Sequence, residues 1–219
     1  MKAKKLLSWF GVLIMMMSTV AVMAGCNHAN DNKDNTADGL TIQPTGKADP
    51  ALKDTRWEAD NNYLYFASEG NTVSMYDFDS VYTVNGSTVS FDFSKSAKAW
   101  STITVEAYID WEITMGNKYI AELEELAKKE QDATKKKEYE DKIEKNKNII
   151  KELKNLSPEK KAEFEKKIEE MKKAAKAFEP YAKFEGTLNP DKTELTIEKC
   201  PMRNNDHTFK VERVVFKKR

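Results

Sequence analysis

The chain has 219 residues, in which 36 Lys and Arg face 36 Asp and Glu, and its two histidines add no charge at neutral pH. That balance excludes a global electrostatic attraction to nucleic acid. No Gly-x-Ser-x-Gly, phosphate-binding loop or metal-spaced cluster occurs, and neither His28 nor His207 belongs to one, so the sequence offers no catalytic residue, no cofactor and no metal site and points to a non-enzymatic protein.

Lys2, Lys4 and Lys5 precede an uncharged apolar run from Leu6 to Ala24 that ends in small residues, the order of a secretory signal. The run is marginal for a membrane span, which needs about 20 apolar residues, and it contains Ser8, Gly11, Ser18 and Thr19. The residues Met23-Ala24-Gly25-Cys26 resemble the lipobox of bacterial lipoproteins, with Met23 where leucine is usual. The resemblance implies a diacylglycerol thioether on Cys26, removal of residues 1–25 as a lipoprotein signal peptide, and membrane anchoring through two or three acyl chains. The implied location is the cell envelope. With Asn27 rather than aspartate after the cysteine, it is the outer membrane in an organism that has two. Three lysines leave with the signal, so 36 basic residues become 33 against 36 acidic ones. Cys200 is then without a partner in its own chain and reads as an inert strand-end cysteine.

Asn27 to Pro50 is rich in Asn, Asp, Thr, Ala and Gly and poor in large apolar residues. Such a stretch buries too little surface to offset its ordering entropy, so residues 26–50 are predicted to form a disordered tether. Asp34 to Gly39 begins like a calcium loop, but Thr45 stands where the bidentate glutamate belongs.

From Thr55 the period is that of strands. Short candidates are Arg56 to Glu58, Tyr63 to Ala67 and Thr72 to Asp77, followed by Val81–Val84 and Thr88–Phe93 around Asn85-Gly86, a type I′ hairpin signal. Ile103, Val105, Ala107, Ile109, Trp111 and Ile113 alternate with Thr, Glu, Tyr and Asp, which predicts a long half-buried strand.

Asn117 to Tyr181 is Lys-, Glu- and Ala-rich and lacks glycine. Tyr139, Ile143, Asn146, Ile150 and Leu153 step by four and three residues, as do Phe164, Ile168, Met171, Ala175 and Phe178. Both are heptad seams, and Ser157-Pro158 between them is a helix start. Two seams of equal length predict an antiparallel coiled-coil hairpin inserted between strands. Tyr119, Leu123 and Leu126 form a third pattern, either a separate helix or the base of a longer one. Asn146 on its seam is a register device if buried. Lysines and carboxylates are interleaved along the arm with no aromatic residues set for base stacking, which argues against nucleic acid and for a protein partner.

The strand pattern returns in Lys183–Leu188 and Glu194–Lys199, joined by Asn189-Pro190-Asp191-Lys192, and ends in Thr208–Phe216, where a phase change predicts a bulge. About nine short strands joined by tight turns predict an antiparallel meander closed into a barrel or sandwich, an α+β protein once the helices are added. Thr55-Arg56-Trp57-Glu58, the Tyr82–Gly86 hairpin, and Phe184-Glu185-Gly186-Thr187-Leu188 followed by Asp191–Ile197 resemble the lipocalin-like domains of bacterial lipoproteins. The resemblance implies an up-and-down barrel and an apolar ligand cavity, for which Trp57, Phe66, Phe91 and Trp111 are the candidate lining. The alternative is a barrel filled by these same side chains and serving as a scaffold. The expected organisation is a β domain from 51–116 and 181–219, interrupted by a helical arm at 117–180. The expected function is a binding role, either a small apolar ligand in the barrel or a protein partner on the arm.

Overall fold

A computed structural model describes residues 40–60, 62–204, 206 and 208–219. The expected lipobox with Cys26, His28, His207 and residues 26–39 of the expected tether lie outside the described residues. The described chain divides into two compact units, residues 40–102 with 172–219, and residues 103–171.

The first unit is a closed antiparallel barrel of eight consecutive strands: β1 Thr55–Ala59, β2 Asn62–Phe66, β3 Thr72–Met75, β4 Phe78–Asn85, β5 Thr88–Asp92, β6 Lys183–Leu188, β7 Glu194–Arg203 and β8 Phe209–Lys218. It closes where β1 meets β8, Trp57 opposite Lys218 and Glu58 opposite Lys217. Period-two alternation turns Trp57, Leu64, Phe66, Val73, Met75, Tyr82, Phe91, Leu195, Ile197 and Phe216 inward, and all are buried. A Cβ at Gly186 would stand 2.7 Å from Leu195 Cδ1, so the bare backbone there is what admits the leucine.

The turn chemistry follows the sequence with two shifts. Asn85 pairs with Thr88, so the β4–β5 loop is Gly86-Ser87, and of these Gly86 alone has positive φ, at 61°. That is the II′ pattern with glycine first, not the expected I′ pattern. The bulge expected in β8 lies across the ladder in β7, where Ile197 pairs with Val214 but Cys200 pairs with Glu212. Two residues of β7 therefore oppose Arg213.

The expected tether is corrected from residue 40 onward. Leu40 and Leu52 are buried, and Asn71 ties the segment down: its Oδ1 accepts the Thr45 and Gly46 N–H groups at 2.9 and 2.8 Å. Its Nδ2 donates to the Tyr82 carbonyl at 2.8 Å. Two leucines and one buried amide are enough to order a polar stretch that composition alone marks as unfolded.

The long strand expected over Ile103–Ile113 is a helix. After α1 (Ser94–Thr102) in the barrel unit, α2 runs from Val105 to Lys129, with the Thr104 side chain accepting the Ala107 N–H at 3.1 Å as N-cap. Alternation at i, i+2 and i+4 contains the helical i, i+4 step, and the buried residues on α2 are Tyr108, Glu112, Ile120, Leu123 and Ala127. Tyr108 and Glu112, which the expected strand would have placed on its polar face, are thus buried on the helix, while Glu106 and Asp110 stay exposed. Consequently the barrel sequence ends at residue 102, not 116, and Asn117–Gln131 belongs to this helix apart from its last two residues.

Glu130–Asp132 separates α2 from α3 (Ala133–Leu153), whose N-cap Asp132 accepts the Thr134 and Lys135 N–H groups. The α3 seam packs on α2: Ile120 and Leu123 form one core with Ile143 and Ile150, flanked by Ile113, Tyr119 and Tyr139. The core in which the Tyr139–Leu153 seam takes part is thus shared with α2, a partner the heptad pattern did not assign to it. Asn146 is buried on the seam, yet its amide donates to the Lys142 carbonyl of its own helix at 2.7 Å. α4 (Pro158–Phe178) begins as expected, with Ser157 Oγ accepting the Lys160 N–H. Its residues to Met171 belong to the helical unit and those from Lys172 to the barrel unit.

Candidate functional site

Three of the four aromatic candidates meet inside the barrel. Trp57 and Phe66 contact edge to face at 6.3 Å, and Phe66 and Phe91 lie 6.2 Å apart. Exposures of 0, 0 and 3 % leave these residues almost no accessible surface. Phe66 also meets Tyr82 at 5.1 Å, and Phe91 meets Phe184 at 5.0 Å, so the column continues along the axis. The indole N–H of Trp57 donates to Thr55 Oγ1 at 2.8 Å. Rings whose faces and edges meet one another, and whose indole N–H is taken up by a neighbouring hydroxyl, fill space and do not line it.

Trp111 is not among them. It sits on α2 in the helical unit, its ring stacked on Tyr108 at 6.1 Å, and is removed from the expected ligand set.

Both barrel ends are occupied. The Leu40–Leu52 segment covers one, and the Tyr82 hydroxyl accepts the Asp49 N–H beneath it at 3.0 Å. At the other, Phe178 stacks on Phe78 at 4.5 Å with the planes parallel, and meets Phe93 and Phe209 at 5.9 and 5.0 Å.

At that second end lies an open cleft of about 510 Å³, lined by polar residues that include Asp60, Asn62, Tyr76, Arg203, Lys210 and Glu212. Tyr76 organises it from the β3–β4 turn, in the left-handed region at φ 57°. Its hydroxyl lies 2.9 Å from Asn62 Oδ1 and 3.0 Å from the Pro201 carbonyl, and accepts the Arg203 N–H at 3.1 Å. The Arg203 guanidinium pairs with Asp77 at 2.8 Å, and Lys210 pairs with Glu212 at 2.7 Å. Burial pushes the Tyr76 phenol up to about 12, and burial does the same to the Cys200 thiol. Both therefore stay protonated at neutral pH, which removes them from base and nucleophile roles.

Two carboxyls are also held away from their ordinary values. Burial raises Glu112 to about 7, opposed by the Tyr108 hydroxyl that donates to its Oε1 at 2.5 Å. Burial raises Asp79 to about 6 against the pull of the Ser74 hydroxyl at 2.6 Å. They belong to different units and form no acid–base pair.

Sequence reasoning missed Tyr76, Arg203, Asn71 and Glu112. A readable signal existed for Glu112 alone, as the i+4 neighbour of Tyr108 on a helical period. The others depend on contacts far apart in the chain. Among the described residues no group of three His, Cys, Asp or Glu could hold a metal ion, and no helix is long and apolar enough to cross a membrane. No family model, curated protein or solved structure matches this chain.

Proposed function

We propose that this chain is an exported, lipid-anchored, non-enzymatic binding protein whose lipocalin-like barrel is a filled scaffold and whose helical unit engages a protein partner. The anchor rests on the lipobox at Cys26, which makes the cell envelope its location, on the outer membrane where a second membrane exists. The observation that carries the binding reading is the pairing of β5 with β6, which flank the insertion. They run in full register from Thr88 opposite Thr187 to Asp92 opposite Lys183, so a short hairpin would close the barrel equally well. Residues 103–171 are surplus to that closure and carry a core of their own at Ile120, Leu123, Ile143 and Ile150. Recognition of a partner is a use for such an insertion that the scaffold itself does not supply. The rival ligand-cavity reading is disfavoured by the near-complete burial of Trp57, Phe66 and Phe91 against one another.

A photo-crosslinking residue placed in cells at the exposed positions Lys137, Lys145 or Glu163 should yield one discrete protein adduct, and at Thr83 or Ser87 on the barrel none. Adducts from the barrel positions alone, or a small molecule retained by the purified protein in native mass spectrometry, would sink the proposal. Cys26→Ala should abolish acyl labelling and release the protein from membranes.

A further inference from the structure

We infer that the outer half of the β7–β8 hairpin, Cys200–Arg203 paired with Phe209–Glu212, is a hinged lid over one end of the barrel. This goes beyond the proposed function and depends on neither the anchor nor the partner.

The hinge is visible in the ladders. The β6–β7 register ends at Thr187 opposite Thr196, and the β1–β8 register covers Glu58 opposite Lys217 and Trp57 opposite Lys218. Beyond the shift between Ile197 and Cys200, the two stretches pair with each other from Cys200 opposite Glu212 to Arg203 opposite Phe209. A bulge bends a strand and increases its twist, and Pro201, the first residue past Cys200, has no N–H to carry a ladder onward. Among the described residues, neither outer edge of this segment continues the barrel's strand pairing.

What holds it down is a latch of another kind. The Tyr76 phenol takes the place of a neighbouring strand, since it meets the Pro201 carbonyl and the Arg203 N–H on the free edge of β7. With the Asn62 amide turned to donate, all three of its hydrogen bonds are satisfied together. Arg203 adds the ion pair to Asp77 in the same β3–β4 turn, and Phe209 lies between Tyr76, at 5.8 Å, and Phe178, at 5.0 Å. The turn that offers this latch is itself strained, because a tyrosine is held at φ 57°. Under the segment lies the Phe178–Phe78 stack, the end of the aromatic column. Lifting the segment exposes that stack to the polar cleft. A sheet extension whose outer edges carry no ladder among the described residues, and whose attachments include the Tyr76 phenol, the Arg203–Asp77 ion pair and the Phe209 ring, opens at a lower free energy than the ladder it grows from.

Cys200 provides the probe, since it sits at the hinge with no exposed surface. In the full-length chain carrying Cys26→Ala it is the sole remaining thiol. A maleimide should label it at urea concentrations below global unfolding, with a urea slope shallower than that of global unfolding. Tyr76→Phe, which strands the Pro201 carbonyl and Arg203 N–H, should accelerate labelling about tenfold. Leu52→Ala, at the opposite end of the barrel, should lower the global midpoint and leave the rate of labelling below it unchanged. A labelling slope equal to the global slope, or equal acceleration by Tyr76→Phe and Leu52→Ala in proportion to their effects on the midpoint, would overturn the lid. Should Tyr76→Phe fail to fold, the slope measured on the parent chain decides the matter by itself.

Discussion

The barrel unit and the helical unit solve the same problem, an enclosed core, with different materials. The barrel uses aromatic rings in mutual contact, and each buried polar atom named above has a partner of its own: Trp57 with Thr55, Asn71 with Thr45 and Gly46, Tyr82 with Asp49. The helical unit uses an aliphatic seam of Ile120, Leu123, Ile143 and Ile150, and sets polar groups into its buried stripes, Asn146 and Glu112. A closed sheet satisfies its backbone across strands and leaves its interior to side chains whose volumes must fit together, as the bare backbone of Gly186 beside Leu195 shows. A helix pair must fit a narrow stripe in which one carboxyl is a large fraction of the surface. The lesson is that the two units differ in the material of their cores, rings in one and an aliphatic seam in the other, while each also holds one carboxyl raised by burial, Asp79 and Glu112.

The largest test of that contrast is truncation of the two cores. Phe66→Ala should cost the barrel about 3–5 kcal/mol, and Ile143→Ala should cost the helical unit about 2–4 kcal/mol. Amide exchange should show each loss confined to its own unit. Protection falling together in both units after Phe66→Ala would mean that they unfold as one.

The next test is pH. Glu112 in the folded unit keeps its proton up to about 7, whereas an ordinary glutamate releases it near 4.5. The folded state therefore binds more protons between these values, and its stability is fully present below about 4.5 and lost as pH rises through 7. The loss is on the order of 3 kcal/mol. Glu112→Gln, which keeps an acceptor for Tyr108, should remove that slope in urea titrations of the helical unit. An unchanged slope would assign the dependence elsewhere. The barrel has its own, lower window, set by Asp79 between the ordinary aspartate value of 3.8 and about 6, and Asp79→Asn should flatten the barrel's transition alone.

The smallest expected effect is at the surface. Lys147 and Glu124 pair at 3.1 Å between α2 and α3 with side chains 53 and 45 % exposed. Lys147→Ala should cost below about 1 kcal/mol, and less as salt is added. A larger loss would show that the helical unit relies on its charged surface as well as its seam.

Much of this was legible along the chain. The alternation that turns Trp57, Phe66 and Phe91 inward, the Asn189–Lys192 turn and the Ser157-Pro158 helix start are local signals, and each is where the sequence puts it. Residues 103–113 were not legible, because a period of two contains a step of four and both periods fit the same eleven positions. The partner of the α3 seam was not legible either, since two helices offered matching apolar stripes and only packing chooses between them. The cleft was the least accessible, because the Tyr76 hydroxyl and the Pro201 carbonyl are 125 residues apart.

By itself the sequence determined which residues could be inside a sheet and which could face one side of a helix, because backbone geometry imposes those periods wherever the segment lies. Tertiary structure alone decided that the aromatic rings fill the barrel, that Leu40 and Leu52 are buried against it, and that the Tyr76 phenol meets the free edge of β7. Those outcomes depend on volumes and hydrogen bonds between distant stretches, for which the order of residues along a chain has no local mark.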